Sequence, residues 1–404
     1  MFLNFKISNY RSIGKELVID FSIRDSQKLG AFAEINSQGI NNIACLVGPN
    51  ASGKSNVLKG IVHFLMFMYI SYSIPFYRYT SRFTTHFCCK DSPSVFSTEF
   101  IENETQYRYE VSILDGVVQN EIFQKQDETT KRYSYLFNRE IGKGISFGKA
   151  PKINKQDLNR LGDDMSLLSL MLELNYFGKT EFLLLRKFHT NVQHGSSVTG
   201  DRPLYKMNYI SQALQNDSDL MDELIDELKA IDTGISSLEL KRKTIKLGDP
   251  VSREKIINGL ELPTVLAGHR VANNDYPLIL SEESSGTLHY METFAYLFEV
   301  LQNGGLFIAD ELEQSLHPDL TGRIISRFMN KDKNPNNAQL LFTTHNPWFL
   351  QDLTKTQIII TEKNDEAETE ITRLDEIAGV RNDENYFMKY IAGEYDGRPK
   401  IREA

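Results

Sequence analysis

A glycine-rich loop between an apolar run and a helical pattern constrains this chain more than any other feature of its sequence. The run Ile43–Val47 has the length and composition of a buried strand, and residues 48–55 then follow the spacing G-x-x-x-x-G-K-S. Apolar residues after Ser55 recur at helical spacing. Backbone N–H groups of such a loop, together with the helix N-terminus, surround a phosphate group. We therefore predict a nucleotide site in this segment, which we call the phosphate loop.

The residue types of the phosphate loop predict distinct roles for its members. Lys54 is expected to reach the β- and γ-phosphates of ATP, and the Ser55 hydroxyl is expected to hold Mg²⁺. A bare motif arises by chance in many chains, but the flanking strand and helix make chance a poor explanation here. ATP and Mg²⁺ are the expected cofactors. The remaining loop residues predicted to contact the nucleotide are Gly48, Asn50, Ala51, Ser52, Gly53 and Asn56.

Composition narrows the range of partners and compartments. The chain has 404 residues and a formal net charge of -9, so any contact with nucleic acid requires a local basic patch, for which residues 241–246 are the candidate. The three cysteines lack metal-ligand spacing, which favours a reduced, cytoplasmic compartment. The N-terminus has no secretory signal pattern, and the most apolar segment, residues 61–74, is too short and polar to span a membrane. We expect a cytoplasmic protein without membrane association.

The hydrophobic pattern predicts an α/β fold with a mixed central sheet, an antiparallel β subdomain and an inserted helical arm. Residues 2–7 and 16–23 predict a hairpin, and residues 98–123 predict an antiparallel meander. Residues 152–232 have apolar residues at helical spacing, including Leu183–Leu185, interrupted by a loop over 189–202. The predicted domains are an N-terminal ATPase lobe over 1–150, a helical insertion over 151–235 and a C-terminal ATPase lobe over 236–404.

Two later apolar strands end in residues that suit phosphate chemistry. The strand over 305–309 leads into Asp310, expected to bind Mg²⁺ through its water shell, and Glu311, expected to orient and polarise the attacking water. The strand over 341–344 leads into His345, expected to bond the γ-phosphate and report its hydrolysis. Strand ends of open α/β sheets gather their ligands at one edge. The predicted catalytic residues are therefore Lys54, Glu311 and His345.

A serine- and glycine-containing segment precedes another amphipathic helix. Residues 281–287 read SEESSGT, and such a helix start is an anion site. On its own this pattern is only a good helix cap. Its place shortly before the Asp310 strand indicates a signature loop, in which Ser284, Ser285 and Gly286 would bind the γ-phosphate held by a second subunit.

These segments together resemble the ABC-type ATPases of the SMC-like branch. More narrowly, they are similar to the compact stand-alone ATPases of bacterial anti-phage and abortive-infection systems. The middle of the chain lies outside this resemblance. The segments that carry it are residues 7–13, 48–55, 283–287, 307–311, 315–318, 344–346 and 390–399.

The resemblance implies two ATP molecules held between two subunits arranged head to tail. Lys54 and Ser55 of one chain and Ser284 and Gly286 of its partner would hold each ATP, with residues 315–318 at the seam between subunits. Arg11 would contact phosphate within its own subunit. The glutamine that couples Mg²⁺ to the lobe interface in this family remains open among three candidates, which are Gln106, Gln119 and Gln124.

The resemblance also implies a biological role. Family members in phage defence act as ATP-dependent sensors or scaffolds for an effector nuclease, often a TOPRIM protein. The sequence is similar to the ATPase subunit of PARIS-type defence, which sequesters a TOPRIM toxin until a phage-encoded trigger releases it. The stretch after His345 is too short for a fused nuclease, so the effector is expected to act in trans. The alternatives are an SMC-like DNA-binding ATPase of DNA repair or maintenance and a transporter motor domain.

Overall fold

The chain forms two compact units. The first unit consists of Met1–Val192, Val300–Leu312 and Ile325–Ala404, and the second of Gln193–Glu299 and Glu313–Ile324. The division predicted at residues 150 and 235 stays a prediction. The computed structural model describes residues 1–23, 32–35, 38–74, 83–178, 182–192, 203–231, 233–244, 261–271 and 274–397.

The fold is mixed α/β. The strands are β1 Phe2–Ser8, β2 Leu17–Asp20, β3 Ser22–Ile23, β4 Phe32–Ile35, β5 Gln38–Asn41, β6 Ile43–Val47, β7 Ser94–Glu102, β8 Thr105–Leu114, β9 Val117–Gln126, β10 Tyr133–Glu140, β11 Gly144–Phe147, β12 Phe188–Thr190, β13 Ile235–Thr244, β14 Glu261–Val271, β15 Asn274–Ile279, β16 Leu306–Ala309, β17 Gln339–Thr344, β18 Ile358–Lys363 and β19 Thr369–Arg373. The helices are α1 Lys54–Ile70, α2 Lys155–Leu158, α3 Leu167–Glu173, α4 Pro203–Asn216, α5 Ser218–Ala230, α6 Ser285–Asn303, α7 Pro318–Met329 and α8 Tyr386–Ala392. None of the helices among the described residues is both long and apolar enough to cross a membrane.

The central sheet of the first unit is six-stranded, in the order β12-β16-β17-β6-β18-β19. All of its pairings are parallel except that of β19 with β18. Every residue of β6, β16 and β17 is buried. Such continuous burial is typical of parallel strands covered on both faces, and it explains their uninterrupted apolar runs.

The predicted antiparallel subdomain is a seven-stranded sheet in the same unit. Its order is β11-β10-β9-β8-β7-β1-β2, so both the meander and the N-terminal hairpin are confirmed. Buried and less buried residues alternate along β7, which is the pattern of a strand with one face on the core. The second hairpin strand is interrupted at Phe21, and its continuation β3 joins a separate sheet with β5 and β4.

Helix α1 carries the phosphate loop into the core of the first unit. Its Phe64 ring stacks on Phe96 of β7, with ring centroids 5.7 Å apart. Helix α3 lies against the end of α1, where the Ser169 hydroxyl donates to the Tyr69 carbonyl over 3.0 Å. Packing against β7 and α3 holds α1 in place, so the residues at its N-terminus have a fixed position in the unit.

Residues 152–232, which have apolar residues at helical spacing, contain the helices α4 and α5 of 14 and 13 residues, but their first part forms shorter elements. Helices α2 and α3 are separated by a turn, and the helix predicted over Leu183–Leu185 is a 3-10 helix over Leu183–Arg186. Residues 188–190, of which the last two were expected in a loop, form β12. The carboxylate of the buried Glu121 accepts the backbone N–H groups of Leu167 and Leu168 and thereby caps α3.

The second unit combines a three-stranded sheet with helices. Its sheet has the order β13-β14-β15, and β14 pairs antiparallel with both of its neighbours. Inside this unit, the buried carboxylate of Glu227 on α5 accepts hydrogen bonds from Tyr290 on α6 and from Arg323 on α7. A buried carboxylate with these donors is satisfied, so the network links three helices.

Candidate nucleotide site

The phosphate loop begins directly after β6 and ends in the first turn of α1. Gly53 has φ +108° and precedes the helix, whose first residue is Lys54. The Lys54 ammonium group donates to the carbonyl oxygens of Gly48 and Pro49 over 2.8 and 2.9 Å. The cation is therefore folded into the loop, where an anionic phosphate would find it.

The two glycines of the motif are required by close packing. A Cβ at Gly48 would collide with the carbonyl oxygen of Thr361, and a Cβ at Gly53 would collide with the Thr369 side chain. The positive φ of Gly53 adds a second reason, because it is unfavourable for residues with a side chain. Glycine is therefore the residue that fits at both positions of the motif.

Side chains from distant segments hold the loop from outside. The Thr369 hydroxyl donates to the Ser52 carbonyl over 3.0 Å and lies 2.8 Å from the Ser12 hydroxyl, which accepts from the Asn56 amide over 2.8 Å. The Ser52 hydroxyl is buried and has no hydrogen-bond partner among the described residues. A buried hydroxyl without a partner is costly, and a phosphate oxygen at this loop fits as its acceptor.

Strand register brings the predicted catalytic segments to the same edge of the central sheet. Thr344 pairs with Val47, so His345 and Gly48 follow neighbouring positions on β17 and β6. Ala309 pairs with Phe342, so Asp310 and Glu311 come level with the end of β17. Because all three strands are parallel, their carboxyl ends meet at one edge. The phosphate loop, the two carboxylates and the histidine therefore follow strands that end at the same edge of the sheet.

Asp310 and Glu311 form a turn, here called the Asp-Glu turn, that neighbouring strands hold by hydrogen bonds. The Thr343 hydroxyl donates to the Asp310 carboxylate over 2.7 Å and accepts from the Glu311 N–H over 2.8 Å. Asn191, directly after β12, bonds both backbone groups of Asp310. Glu311 adopts the left-handed φ of +48°, which costs about 1–3 kcal/mol in a residue with a side chain. The hydrogen bonds from Thr343 and Asn191 therefore hold the turn in a backbone conformation that is unfavourable on its own.

His345 and Glu311 face one another across the ends of β17 and β16. His345 Nε2 lies 3.3 Å from Glu311 Oε1, and both side chains are partly exposed. A carboxylate that contacts solvent and is held by an imidazole can orient a water molecule. The pair therefore has the geometry of a general base with its positioning group.

The donor types present fit Mg²⁺. Ser55 contributes a hydroxyl at the second position of α1, and Asp310 contributes a carboxylate at the same edge of the sheet. Mg²⁺ prefers hard oxygen ligands and usually takes one or two protein groups with waters and phosphate oxygens. These two side chains would hold the ion if it enters with a nucleotide.

The predicted signature residues lie in the second unit. Ser284 directly precedes α6, and its hydroxyl accepts from the Thr287 N–H over 3.0 Å, which makes it a helix cap. Ser285 and Gly286 open the helix, with Ser284 and Ser285 exposed. A Cβ on Gly286 would lie 3.1 Å from the Ser315 carbonyl oxygen, so the predicted signature and seam loops touch within one chain.

Arg11 directly precedes Ser12, whose hydroxyl supports the phosphate loop, whereas the candidate glutamines lie on another sheet. The Arg11 guanidinium donates to the Tyr10 hydroxyl over 2.9 Å, and its contact with a nucleotide stays a prediction. Gln106 lies on β8, whereas Gln119 and Gln124 lie on β9, all within the antiparallel sheet. The polar residue that follows β12, at the edge of the central sheet, is instead Asn191.

Four residues of the site were missed in the sequence, namely Ser12, Asn191, Thr343 and Thr369. Each acts by holding a motif residue through hydrogen bonds, and all four lie at least 33 residues along the chain from the residue they hold. Only Thr343 carried a local signal, because it stands two positions before His345 and side chains two apart on a strand share a face.

Comparisons with known proteins show which family the chain matches and which solved structures it is similar to. The family described as "AAA domain, putative AbiEii toxin, Type IV TA system" matches residues 43–350. A comparison with curated proteins finds no match. Similar solved structures include an Smc head bound to the C-winged helix domain of ScpA, at 13% identity over 92% of this chain and 96% of the other, with a TM-score of 0.45.

Two further solved structures show the same degree of similarity. The SMC head domain from Thermotoga maritima is 12% identical over 92% of this chain and 98% of the other, with a TM-score of 0.38. An Smc head domain with an extended coiled coil, bound to the C-terminal domain of ScpA from Pyrococcus furiosus, is 11% identical over 93% and 97%, with a TM-score of 0.42. Likeness at these scores is distant. The family match, in contrast, spans most of the chain, and the protein therefore belongs to this AAA-domain family, whose fold is that of an ATPase.

Proposed function

We propose that this chain binds MgATP at the phosphate loop and hydrolyses it with Glu311 as the base. The observation that carries the proposal is the meeting of three strand ends at one sheet edge, which gathers Lys54, Asp310, Glu311 and His345. A cation, a metal-binding carboxylate and a water-orienting carboxylate are the groups that phosphoryl transfer requires. The proposed substrates are ATP and water, and the products are ADP and phosphate.

Each residue has a step that its position supports. Lys54 would leave the carbonyls of Gly48 and Pro49 for the β- and γ-phosphates, stabilising the charge that develops there. Glu311 would take a proton from the water whose oxygen attacks the γ-phosphorus, while the bond to the bridging oxygen breaks. His345 would hold the Glu311 carboxylate toward that water. Mg²⁺, when bound at Ser55 and Asp310, would neutralise charge on the phosphate oxygens.

We further propose that the active form is a head-to-tail dimer that encloses two ATP molecules. Ser284 and Ser285 are exposed at the start of a 19-residue helix, so their hydroxyls and the helix N-terminus are available to an anion from outside. The γ-phosphate held by the phosphate loop of a partner would be that anion. The contact of Gly286 with Ser315 supports one composite surface formed by the signature and seam loops.

Replacing Ser284 with arginine tests this dimer. We expect Ser284→Arg to bind ATP as the wild type does but to lose turnover by at least about tenfold, because the long side chain would fill the space that the partner's phosphate needs. Ser281→Arg, three residues earlier and also exposed, is the matched control. ATP affinity and the dependence of turnover on protein concentration are measured for both. Full turnover in Ser284→Arg would remove the signature residues from the site.

For the biological role, we propose a sensor or scaffold that controls a trans-acting effector in anti-phage defence. The description of the family refers to a type IV toxin–antitoxin system, which supports a place in such a module. The effector would be a TOPRIM-like nuclease toxin released by a phage-encoded trigger, as in PARIS-type defence. Cys88 and Cys89 are exposed free thiols, which supports a cytoplasmic location.

The alternative role is an SMC-like DNA-binding ATPase. Its basic run begins on β13, where the exposed Lys241 lies 3.2 Å from Glu239 and is partly neutralised by it. Residues 245 and 246 of the run lie outside the described residues. A weakened patch on an acidic chain gives DNA little general attraction, so we rank this role second.

Co-purification distinguishes the two roles. We expect tagged Glu311→Gln protein, expressed with its neighbouring genes and kept in ATP, to retain a nuclease-like protein and little DNA. The same variant without ATP is the control. Recovery of DNA that is lost as salt rises, without a protein partner, would favour the DNA-binding role, because phosphate contacts weaken with salt.

A further inference from the structure

We propose that Asn191 and Thr343 are positioning residues that clamp the Asp-Glu turn from the two strands beside it, and so set the metal-binding and water-orienting carboxylates. The inference rests on the proposed ATPase function. Strand β16 lies between β12 and β17 in the central sheet. Asn191 follows the first of these neighbours and Thr343 belongs to the second, so the turn after β16 is held from both sides.

Asn191 continues the hydrogen bonding of the sheet beyond the end of β12, first with its backbone and then with its side chain. Its backbone N–H donates to the Ile308 carbonyl over 3.3 Å, as a last ladder bond. Its side-chain oxygen then accepts from the Asp310 N–H over 2.7 Å, while its side-chain amide donates to the Asp310 carbonyl over 2.9 Å. A carboxamide has both a donor and an acceptor, whereas an ionised aspartate has only acceptors. The site therefore uses a property specific to asparagine among residues of this size.

Thr343 completes the clamp from β17 with a single hydroxyl. The hydroxyl donates to Asp310 Oδ1 over 2.7 Å and accepts from the Glu311 N–H over 2.8 Å, while the Thr343 carbonyl accepts from the Leu312 N–H over 3.2 Å. Thr343 is fully buried. Because solvent does not compete at this position, these bonds fix both the rotamer of Asp310 and the backbone of Glu311.

The clamp explains how the turn keeps an unfavourable conformation. Glu311 has φ +48°, which residues with a side chain adopt only when surrounding contacts determine it. That conformation brings the Glu311 carboxylate to 3.3 Å from His345. If either clamp residue is lost, the turn can relax, and Glu311 then moves relative to the attacking water. Mutation of a residue that orients a metal ligand typically lowers metal affinity or activity by about 10–100-fold.

The test compares Asn191→Ala and Thr343→Val with the wild type and with Asn330→Ala. Thr343→Val keeps the shape and removes the hydroxyl, and Asn330 makes a similar side-chain bond to backbone on the exposed surface. Four quantities are measured: kcat, ATP affinity, melting temperature, and Mn²⁺ affinity with a non-hydrolysable ATP analogue. In both clamp variants we expect kcat to fall at least about tenfold and Mn²⁺ affinity to fall several-fold, with ATP affinity within about threefold. Asn330→Ala should match the wild type.

Two results would overturn the clamp. One is wild-type kcat and Mn²⁺ affinity in both variants. The other is a parallel loss of ATP affinity, kcat and melting temperature, since that pattern indicates a damaged fold. Failure of the proposed function looks different, because the wild type itself would then not turn over ATP. In that case Mn²⁺ affinity still decides, and an unchanged value in Asn191→Ala would reject the clamp.

Discussion

Lys54→Ala is expected to lose at least about 100-fold in ATP affinity. The Lys54 ammonium group lies within the phosphate loop, bonded to the carbonyl oxygens of Gly48 and Pro49. Hydrogen bonds from a charged group contribute about 1.5–3 kcal/mol each, and a factor of ten in affinity corresponds to about 1.4 kcal/mol. Loss of two such bonds to phosphate oxygens gives the stated effect. Titration with a fluorescent ATP analogue measures it.

The matched control is Lys59→Ala, which removes a lysine from the same helix outside the loop. It should bind ATP as the wild type does. Melting temperatures of both variants exclude general unfolding as the cause of any loss. Wild-type affinity in Lys54→Ala would reject the phosphate loop as the nucleotide site, whatever the remaining residues do.

The sequence was sufficient for features encoded by consecutive residues. The phosphate loop, the Asp-Glu turn and His345 each follow a short run of buried apolar residues, and such runs indicate parallel strands. The antiparallel meander was equally predictable, because alternation of burial along β7–β9 is local in sequence. In each case the residues that form the hydrophobic pattern are the same consecutive residues that form the strand or loop.

Features that depend on distant pairing could not be predicted. Strand β12 has only three residues, Phe188–Thr190, and two of them are polar, so no apolar run marks it. It is a strand because β16 lies beside it. Once that pairing is missed, the role of Asn191 is also missed, since its partner Asp310 lies 119 residues away. The Thr369 contact with Ser52 spans 317 residues and was hidden for the same reason.

The helical spacing of apolar residues did not show where one helix ends and the next begins, and the reason is a different one. Leucines over 158–172 fit one helix, yet the chain forms α2 and α3 with a turn between them. Ser166 is the local cap of α3, because its hydroxyl accepts from the Ser169 N–H over 3.1 Å, and the buried Glu121 from β9 accepts the N–H groups of Leu167 and Leu168. The part of the cap that a distant strand provides leaves no mark in the helix sequence itself.

Glu311→Gln is expected to separate binding from hydrolysis most clearly. The amide keeps the size of the carboxylate and can still accept a hydrogen bond from His345, but it cannot take a proton from water. Loss of a general base lowers turnover by about 10²–10⁴-fold. ATP affinity should stay near the wild-type value, because the phosphate loop and its supports at Ser12 and Thr369 are unchanged. Single-turnover hydrolysis and equilibrium binding measure the two effects.

The Glu311→Gln variant also tests whether ATP joins two subunits into a dimer. If two ATP molecules join the subunits, Glu311→Gln should accumulate as a dimer in ATP and return to monomer when ATP is removed, because hydrolysis no longer opens the interface. Glu370→Gln, the same change at an exposed position of β19, is the matched control and should turn over ATP as the wild type does. Normal turnover in Glu311→Gln would remove Glu311 from the base role, and the nearby His345 would then become the candidate.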